Sequence, residues 1–463
     1  MRMFILGTGA TGSLLAKLLA RQGHHVVCGD RDPERAQRFL GASSSIPVKQ
    51  VNARDVRDIV KAAHGAQLLI NACPAVFNKI VLRAALRFRA DYLDTASHMT
   101  VSPFRAEQFG FDGQFRKKRR GAIITAGVAP GLTNLLVAGA ADLLDFVDQV
   151  RIRLYESTKS KDPVSQWSAE VSFDEAVSRP RLYRDGHFLL GRRFGEREAF
   201  RFPAPIGMVS VVLAAQDEVA TVPYVIPMQQ MDAKIGGSDV DRLRRWYRQG
   251  KLRRSRRLVS SRFPRTSTPG TIDRLLHRGL LRNARFAAAV VVTGVKADRP
   301  TIVRWDVTVP SLHTLHRHGQ PCSPVAWATA QMMALFVKHF PKDLLGVHPP
   351  EELPLEIRRA ILRDARGRGL CITKRIATST FKGDAKTSFL TGLCLITVST
   401  VLLACTTPYQ SMSLMGCLEG AEIEKGFSQV EFRGAAYTTL TLLSSYWHHR
   451  TKEIFEACDG PVG

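Results

Sequence analysis

The fold is decided by the opening stretch Met3-Phe4-Ile5-Leu6-Gly7-Thr8-Gly9-Ala10-Thr11-Gly12. Its first four residues are apolar and predict a short buried strand of a parallel sheet. Leucines then recur at helical spacing from Ser13 to Arg21, and Gly23 ends that helix. A second apolar strand follows and ends at Asp30. A strand, a glycine-rich turn, a helix, a strand and an acid in this order predict a βαβ unit that binds a dinucleotide.

Each part of the turn has a physical role in that interpretation. Gly7 permits the tight turn, Gly9 lets a pyrophosphate approach the main chain, and Gly12 lets the helix pack close to the strand. The free N–H groups of the helix N-terminus attract the phosphates. A turn that binds no phosphate is the alternative. The predicted cofactor-binding residues of this loop are Gly7, Thr8, Gly9, Ala10, Thr11 and Gly12.

The choice between NAD and NADP depends on two adjacent residues. Asp30 is placed to accept hydrogen bonds from the adenine-ribose hydroxyls, and its carboxylate repels a 2′-phosphate. Arg31 could instead bind that phosphate. The prediction therefore leans towards NAD and leaves NADP open.

The alternation of strands and helices continues beyond the first unit. Because ligands bind at the carboxyl ends of parallel strands, the segments after these strands should share one crevice with the glycine turn. The predicted strands are Gln67–Asn71, Asp91–Thr95 and Gly121–Thr125, with helices at Asp55–His64 and Asn78–Arg87. The segments expected in the crevice are Asn71–Pro74, Asp94–His98 and Val128–Asn134.

Five motifs of this chain resemble the saccharopine dehydrogenase family, and the resemblance covers residues 1–355. The stretch beginning Ala126-Gly127-Val128-Ala129-Pro130-Gly131 is the most specific of them. The others are Asn71-Ala72-Cys73-Pro74, Tyr92-Leu93-Asp94-Thr95, Asp232-Ala233-Lys234-Ile235-Gly236-Gly237 and Gly346-Val347-His348-Pro349-Pro350-Glu351.

The resemblance implies an α/β fold, namely a doubly wound parallel Rossmann sheet with an inserted α+β domain for substrate binding and dimerisation. A C-terminal tail follows. The predicted boundaries are 1–130 for the Rossmann domain, 131–320 for the inserted domain, 321–365 for helices that return to the Rossmann domain, and 366–463 for the tail. A homodimer is the expected assembly.

The resemblance also implies an NAD(P)-dependent dehydrogenase that transfers hydride at a carbon bearing nitrogen. The substrate would be a small amino-acid-type molecule like saccharopine, lysine or carboxynorspermidine, through imine reduction or amine oxidation. The segment Asn71, Ala72, Cys73 and Pro74 is expected beside the nicotinamide ribose, and Val128, Ala129 and Pro130 are expected behind the nicotinamide.

The acid or base is less readable from the sequence. Asp94 and His98 are the candidate catalytic residues because they follow a strand end at the predicted crevice, and histidine is the usual proton shuttle near neutral pH. The alternatives are that Asp94 binds a ribose or caps a turn, and that His98 lies on the surface. No metal site is predicted.

The composition limits the function classes. With 66 Lys and Arg against 41 Asp and Glu, the net charge is +25, and eleven of the cations lie in residues 242–265 without an acid. Trp246 and Tyr247 alone are thin support for a nucleic-acid surface and no known module is present, so a solvated basic segment is favoured. Eight Cys in 463 residues do not make a disulfide scaffold. The first residues form no signal peptide, so residues 1–365 are expected in the cytoplasm.

The last fifth of the chain has a different character. An apolar run over residues 389–404 is shorter than the about 20 residues of a bilayer span and suits a signal-peptide core. Leu402-Leu403-Ala404-Cys405 matches a lipobox, and the remainder resembles a bacterial envelope lipoprotein precursor. The sequence predicts a lipoprotein joined to a reductase, with possible membrane attachment through residues 389–405. A C-terminal helix packed on the enzyme is the alternative.

Two other function classes stay open. A non-catalytic dinucleotide sensor would bind the cofactor without turnover. A membrane-attached interaction protein would use the reductase fold as a scaffold and residues 389–405 as its anchor.

Overall fold

A computed structural model describes residues 1–99, 101–161, 164, 166, 173–174, 176–252 and 267–379. The predicted apolar segment 389–404, the lipobox cysteine Cys405 and most of the basic segment, from residue 253 to residue 265, lie outside these residues. In the part of the chain that the structure describes, no helix has the length and apolar character needed to cross a membrane.

The N-terminal elements alternate between strand and helix, as the sequence predicted. The strands are β1 (Arg2–Leu6), β2 (His25–Asp30), β3 (Val48–Gln50), β4 (Leu68–Asn71), β5 (Asp91–Asp94) and β6 (Gly121–Ile123). The helices are α1 (Ala10–Arg21), α2 (Pro33–Leu40), α3 (Val56–Ala62), α4 (Asn78–Phe88), α5 (Asp112–Lys118) and α6 (Leu132–Ala141).

Further strands, some of them much longer, follow in the second half of the chain. They are β7 (Phe146–Ser160), β8 (Arg181–Arg184), β9 (His187–Leu190), β10 (Glu198–Phe202), β11 (Gly207–Leu213), β12 (Gln230–Gly236), β13 (Leu281–Lys296), β14 (Arg299–Thr308), β15 (Gly346–His348) and β16 (Cys371–Thr378). The helices between them are α7 (Ser238–Arg248), α8 (Pro269–His277), α9 (Leu312–Arg317), α10 (Pro324–Lys338) and α11 (Leu355–Gly367).

The first sheet is parallel throughout, in the order β15-β6-β5-β4-β1-β2-β3. From β3 to β6 this is the 3-2-1-4-5-6 order of a doubly wound dinucleotide-binding sheet. The predicted Rossmann fold is confirmed. The strand order reverses between β1 and β4, so the ligand crevice is expected outside the carboxyl ends of these two strands.

The second sheet is mixed, with the order β10-β11-β12-β7-β13-β14-β16, and β8 joins it beside β12. The chain leaves the first sheet through α6, builds the second sheet, and returns through α10 and β15. Nearly every residue of α10 is buried, because the helix packs against α1 on one side and β13 on the other. The predicted inserted α+β domain is therefore present.

The sheet extends further along the chain than the sequence indicated. The predicted tail begins at residue 366, but Cys371–Thr378 pairs antiparallel with β14 over eight residues. Ile372 of this strand is 6% exposed and packs into the main core. Residues 371–378 are thus part of the second sheet, and the predicted boundary at 366 lies too early.

This strand leads to a truncation test. A chain ending at residue 385 keeps β16 and should unfold at the same temperature as the full chain. A chain ending at Leu370 loses the burial of Ile372, which stabilises by about 2 kcal/mol, and should melt several degrees lower. Thermal unfolding of the three chains followed by circular dichroism measures this. Equal melting temperatures for all three would show that β16 contributes nothing to stability.

Candidate active site

The glycine loop connects β1 to α1 at the carboxyl edge of the first sheet. Gly7 has φ +94°, and a Cβ there would lie 2.8 Å from the main chain of Ala72. A Cβ on Gly12 would lie 1.9 Å from the Gly7 carbonyl oxygen. Gly9 immediately precedes α1, and a Cβ there would meet no atom within 4 Å. Gly7 and Gly12 therefore permit close packing, while Gly9 borders open space that a pyrophosphate could enter.

Asp30 lies at the end of β2 beside this loop. Its Oδ2 accepts a hydrogen bond from the Thr8 N–H at 2.8 Å, and its Oδ1 accepts one from the Asp32 N–H at 3.1 Å. These two bonds orient the carboxylate at the edge of the loop, and Arg31 beside it is exposed. Ala10 and Thr11 are half-buried in the first turn of α1. The open space at Gly9 and the oriented acid fit an adenine dinucleotide.

The ends of β4 and β5 are joined by a buried polar network. Asn71 Nδ2 donates to Asn78 Oδ1 at 2.9 Å and to the Tyr92 hydroxyl at 3.2 Å, and that hydroxyl donates to Asp94 Oδ2 at 2.9 Å. Asn71 and Asp94 are each 1% exposed. Ala72, Cys73 and Pro74 are half-buried beside Gly7. Asn71 thus holds the ends of β4 and β5 together through its bonds with Asn78 and Tyr92.

Asp94 has donors on both carboxylate oxygens. Oδ1 accepts from the Thr125 N–H at 2.8 Å, and Oδ2 also accepts from Gln108 Nε2 at 3.1 Å. Burial raises the pKa of this carboxyl to about 7, although the three donors oppose the shift. Through its hydrogen bond with the Thr125 N–H, Asp94 ties the end of β5 to the segment after β6. Burial also raises the pKa of the Cys73 thiol to about 12, which leaves it a poor nucleophile.

The segment after β6 leaves the carboxyl edge of the same sheet. Val128, Ala129 and Pro130 are buried, and the Ala129–Pro130 peptide bond is cis. Gly131 has φ +126°, and a Cβ there would lie 2.1 Å from the Gly127 carbonyl oxygen. Its N–H donates to Asn134 Oδ1 at 2.8 Å, which closes the turn into α6. The glycines of this motif are required by the close approach of the main chain to itself.

His98 lies at the end of the segment that follows β5 and is partly exposed. Its Nδ1 is 3.2 Å from Glu107 Oε1, and Glu107 Oε2 is 2.9 Å from Lys79 Nζ. An ionised carboxylate only accepts, so this contact is a hydrogen bond in the tautomer whose Nδ1 carries the hydrogen. Sequence reasoning missed Glu107. Its spacing of nine residues from His98 matches no helical or strand period, so no pattern revealed it.

The second domain contributes an acid to the same place. Asp217 Oδ2 accepts a hydrogen bond from the Ser97 N–H at 2.8 Å, and Asp217 Oδ1 lies 4.0 Å from Arg181 Nη1. Burial raises the pKa of Asp217, while Arg181 and His98 lower it. The crevice therefore carries titratable groups from both domains around His98.

Two further acids are buried at the start of α6. Glu218 Oε1 accepts from the Thr133 hydroxyl at 2.6 Å, and Glu351 Oε2 accepts from Asn134 Nδ2 at 2.9 Å. Their exposed fractions are 0% and 3%. Burial raises the pKa of each to about 7. Glu351 closes the last family-like motif of the sequence, and its role here is to anchor α6.

The Asp232–Gly237 motif lies within the second sheet. Lys234 Nζ is 3.0 Å from Glu198 Oε2, and Arg153, which is 1% exposed, pairs with both Glu198 and Asp232. Burial opposes ionisation of Glu198, but the cations outweigh it and hold its pKa at about 2. The motif therefore builds the interior of this domain.

A doubly wound parallel sheet with a glycine loop, an acid after the second strand and an inserted mixed sheet defines a two-domain dinucleotide-binding protein. Residues 3–122 match the family model "Saccharopine dehydrogenase NADP binding domain". These residues are thus similar to the nicotinamide-dinucleotide-binding domain of saccharopine dehydrogenases, as the resemblance implied.

Sequence relatives also match part of this chain. Carboxynorspermidine synthase of Vibrio cholerae is 24% identical over 263 residues, which are 52% of this chain and 63% of that protein. Carboxyaminopropylagmatine dehydrogenase of Synechocystis is 24% identical over 198 residues, which are 40% of this chain and 49% of that protein. The matches thus span less than two thirds of these relatives.

The fold is similar to that of apo saccharopine dehydrogenase (L-Glu forming) from Saccharomyces cerevisiae. The TM-score is 0.61 at 13% identity, and the match covers 81% of this chain and 99% of that one. At this identity the likeness establishes the fold.

Proposed function

We propose that the chain is an NAD(P)-dependent oxidoreductase acting on a C–N bond of an amino-acid-type substrate. The observation that carries the proposal is the His98–Glu107 pair in the segment after β5, which leaves the sheet at the same edge as the glycine loop. The names of the relatives, a carboxynorspermidine synthase and a carboxyaminopropylagmatine dehydrogenase, support a substrate with amino and carboxyl groups. A bound nicotinamide would supply or accept the hydride.

In this proposal the protein binds, orients and moves one proton. The main chain at Gly9 and the start of α1 holds the pyrophosphate, and Asp30 holds the adenine ribose. His98 Nε2 exchanges a proton with the substrate nitrogen, while Glu107 fixes the tautomer of the ring. Asp94 has a positioning role, because its hydrogen bond with the Thr125 N–H fixes the main chain that leads into the segment beginning at Gly127.

A substrate screen tests the activity. The full chain would be assayed for oxidation of NADH or NADPH with pairs of an amino aldehyde and an amino acid, and for reduction of NAD⁺ or NADP⁺ with saccharopine, lysine and carboxynorspermidine. We expect turnover with at least one pair. Tight dinucleotide binding without turnover on any pair would instead support the non-catalytic sensor.

The histidine can be tested directly once a substrate is known. His98→Gln should lower kcat by about 10²- to 10⁴-fold, the usual contribution of general acid–base catalysis, with the cofactor affinity unchanged. Glu107→Gln should lower kcat less and change the pH profile of kcat, because the ring loses its charged orienting partner. His64→Gln, an exposed histidine on the same domain, is the control. An unchanged kcat in His98→Gln would remove His98 from the mechanism.

The cofactor preference belongs to the same proposal, and we infer that NAD is preferred. The Asp30 carboxylate is held at the loop edge by Thr8 and Asp32, where a 2′-phosphate would meet its charge. Asp30→Ala should weaken NADH binding by about 10-fold, because the adenine ribose loses a hydrogen bond. It should weaken NADPH binding less, because removing the carboxylate also removes its repulsion of the 2′-phosphate. Fluorescence titration with both cofactors measures this. A wild-type protein that strongly prefers NADPH would contradict the inference and make Arg31 the decisive contact.

We also propose that the chain is a homodimer that associates through its second domain. The resemblance to the saccharopine dehydrogenase family, in which the open sheet of the second domain often makes the dimer contact, supports this proposal. Light scattering of the purified chain distinguishes a dimer from a monomer.

A further inference from the structure

Two histidines and an aspartate form a cluster outside the crevice residues described above. Asp273 and His277 lie one turn apart on α8, and His316 lies on α9. Asp273 Oδ1 is 2.8 Å from His316 Nε2 and 3.5 Å from His277 Nδ1, and that Nδ1 is also 2.9 Å from the Asp273 carbonyl oxygen. One candidate ligand atom from each residue lies within 4.8 Å of the other two.

The two helices that carry the cluster are held by a shared apolar core. Ile272 of α8 and Leu312 of α9 pack with Leu281 and Ala284 at the start of β13, and each of the four is at most 6% exposed. Thr268 and Ser311 cap the two helices by accepting a hydrogen bond from a main-chain N–H of the first turn. The cluster is therefore built on anchored helices, and its geometry does not depend on a loose surface loop.

We propose that this cluster is a Zn²⁺ site that joins α8 to α9. Imidazole nitrogens and a carboxylate oxygen are ligands that zinc takes, whereas Ca²⁺ and Mg²⁺ prefer oxygen alone. Bond lengths of about 2.0–2.2 Å place tetrahedral zinc ligands about 3.3–3.6 Å apart. The 3.5 Å separation of Asp273 and His277 matches this range, and the hydrogen-bonded pair Asp273–His316 at 2.8 Å would have to open by about 0.6 Å to admit the ion. The side chains of His316, Asp273 and His277 are 28%, 46% and 69% exposed, so water can fill the fourth position.

Zinc binding to the metal-free full chain tests the proposal. In equilibrium dialysis against zinc chloride, His316→Ala should bind one equivalent less than the wild type. Asp273→Asn should bind at that site at least about 100-fold more weakly, since loss of an outer partner alone already costs roughly 10- to 100-fold. His313→Ala on the same short helix is the matched control and should keep the wild-type stoichiometry. Equal stoichiometry and affinity in His316→Ala and the wild type would overturn the proposal.

A second measurement locates the metal in the unaltered protein. Zinc should protect His277 and His316, but not His313, from acylation by diethyl pyrocarbonate, as read by mass spectrometry of the digested chain. Modification of His316 at the same rate with and without zinc would overturn the proposal even if a variant failed to fold. Neither measurement depends on the proposed enzyme activity.

Discussion

Replacement of Gly9 by aspartate is expected to abolish dinucleotide binding and to leave the fold intact. Gly9 precedes α1 with φ −84°, a conformation open to any residue, and a Cβ there would meet no atom within 4 Å. Aspartate is also a favourable residue at the start of a helix. Its carboxylate would, however, lie against the pyrophosphate, and like charges in contact cost several kcal/mol. We expect affinity to fall at least about 100-fold, or roughly 2.8 kcal/mol.

Fluorescence titration of NADH and NADPH, together with thermal unfolding, measures this effect. Gly270→Asp is a matched control, because it adds a carboxylate to open space in the first turn of α8. Gly12 is unsuitable for the test, since its Cβ would meet the Gly7 carbonyl oxygen at 1.9 Å and disturb the fold itself. Unchanged affinity in a folded Gly9→Asp chain would remove the loop from the binding site.

The free energy of unfolding is expected to fall as the pH rises from about 5 to 8. Glu218 and Glu351 have folded-state pKa values of about 7, raised by burial, against about 4.3 in an unfolded chain. Between these values the folded state binds more protons than the unfolded state, so stability decreases with pH. Each group accounts for up to about 3 kcal/mol of this decrease.

Replacing one of these two acids by its neutral isostere measures how much that acid contributes to the pH dependence of the free energy of unfolding. Glu351→Gln should unfold with nearly the wild-type free energy at pH 5 and should be the more stable protein at pH 8, because an amide has no charge to desolvate. Urea unfolding at the two pH values measures both. Glu356→Gln is the control, since that side chain is 80% exposed. If Glu351→Gln showed the same loss between pH 5 and 8 as the wild type, burial of Glu351 would not be the cause.

Local patterns predicted the elements of the first domain closely. The predicted strand Gln67–Asn71 is observed as Leu68–Asn71, and the predicted helix Asn78–Arg87 as Asn78–Phe88. Both are read from the spacing of apolar residues within one segment, which neighbouring segments do not alter. Because the prediction depends on a repeated spacing, very short elements were missed. The three residues Gly346–His348 are too short to show a period, yet they pair with β6.

The candidate site shows the same division between features that follow from the local sequence and contacts that the tertiary structure makes. The sequence by itself determined the glycine loop, the acid at Asp30 and the strand ends that meet at one edge, because these follow from residue type and from the rule that parallel strands end together. Only the tertiary structure decided what surrounds them. It enclosed Asp94 with donors on both oxygens, placed Glu107 against His98, and brought Asp217 from the second domain to the Ser97 N–H. Such contacts join segments far apart in the chain, and their choice depends on how two packed domains fit together rather than on any local period.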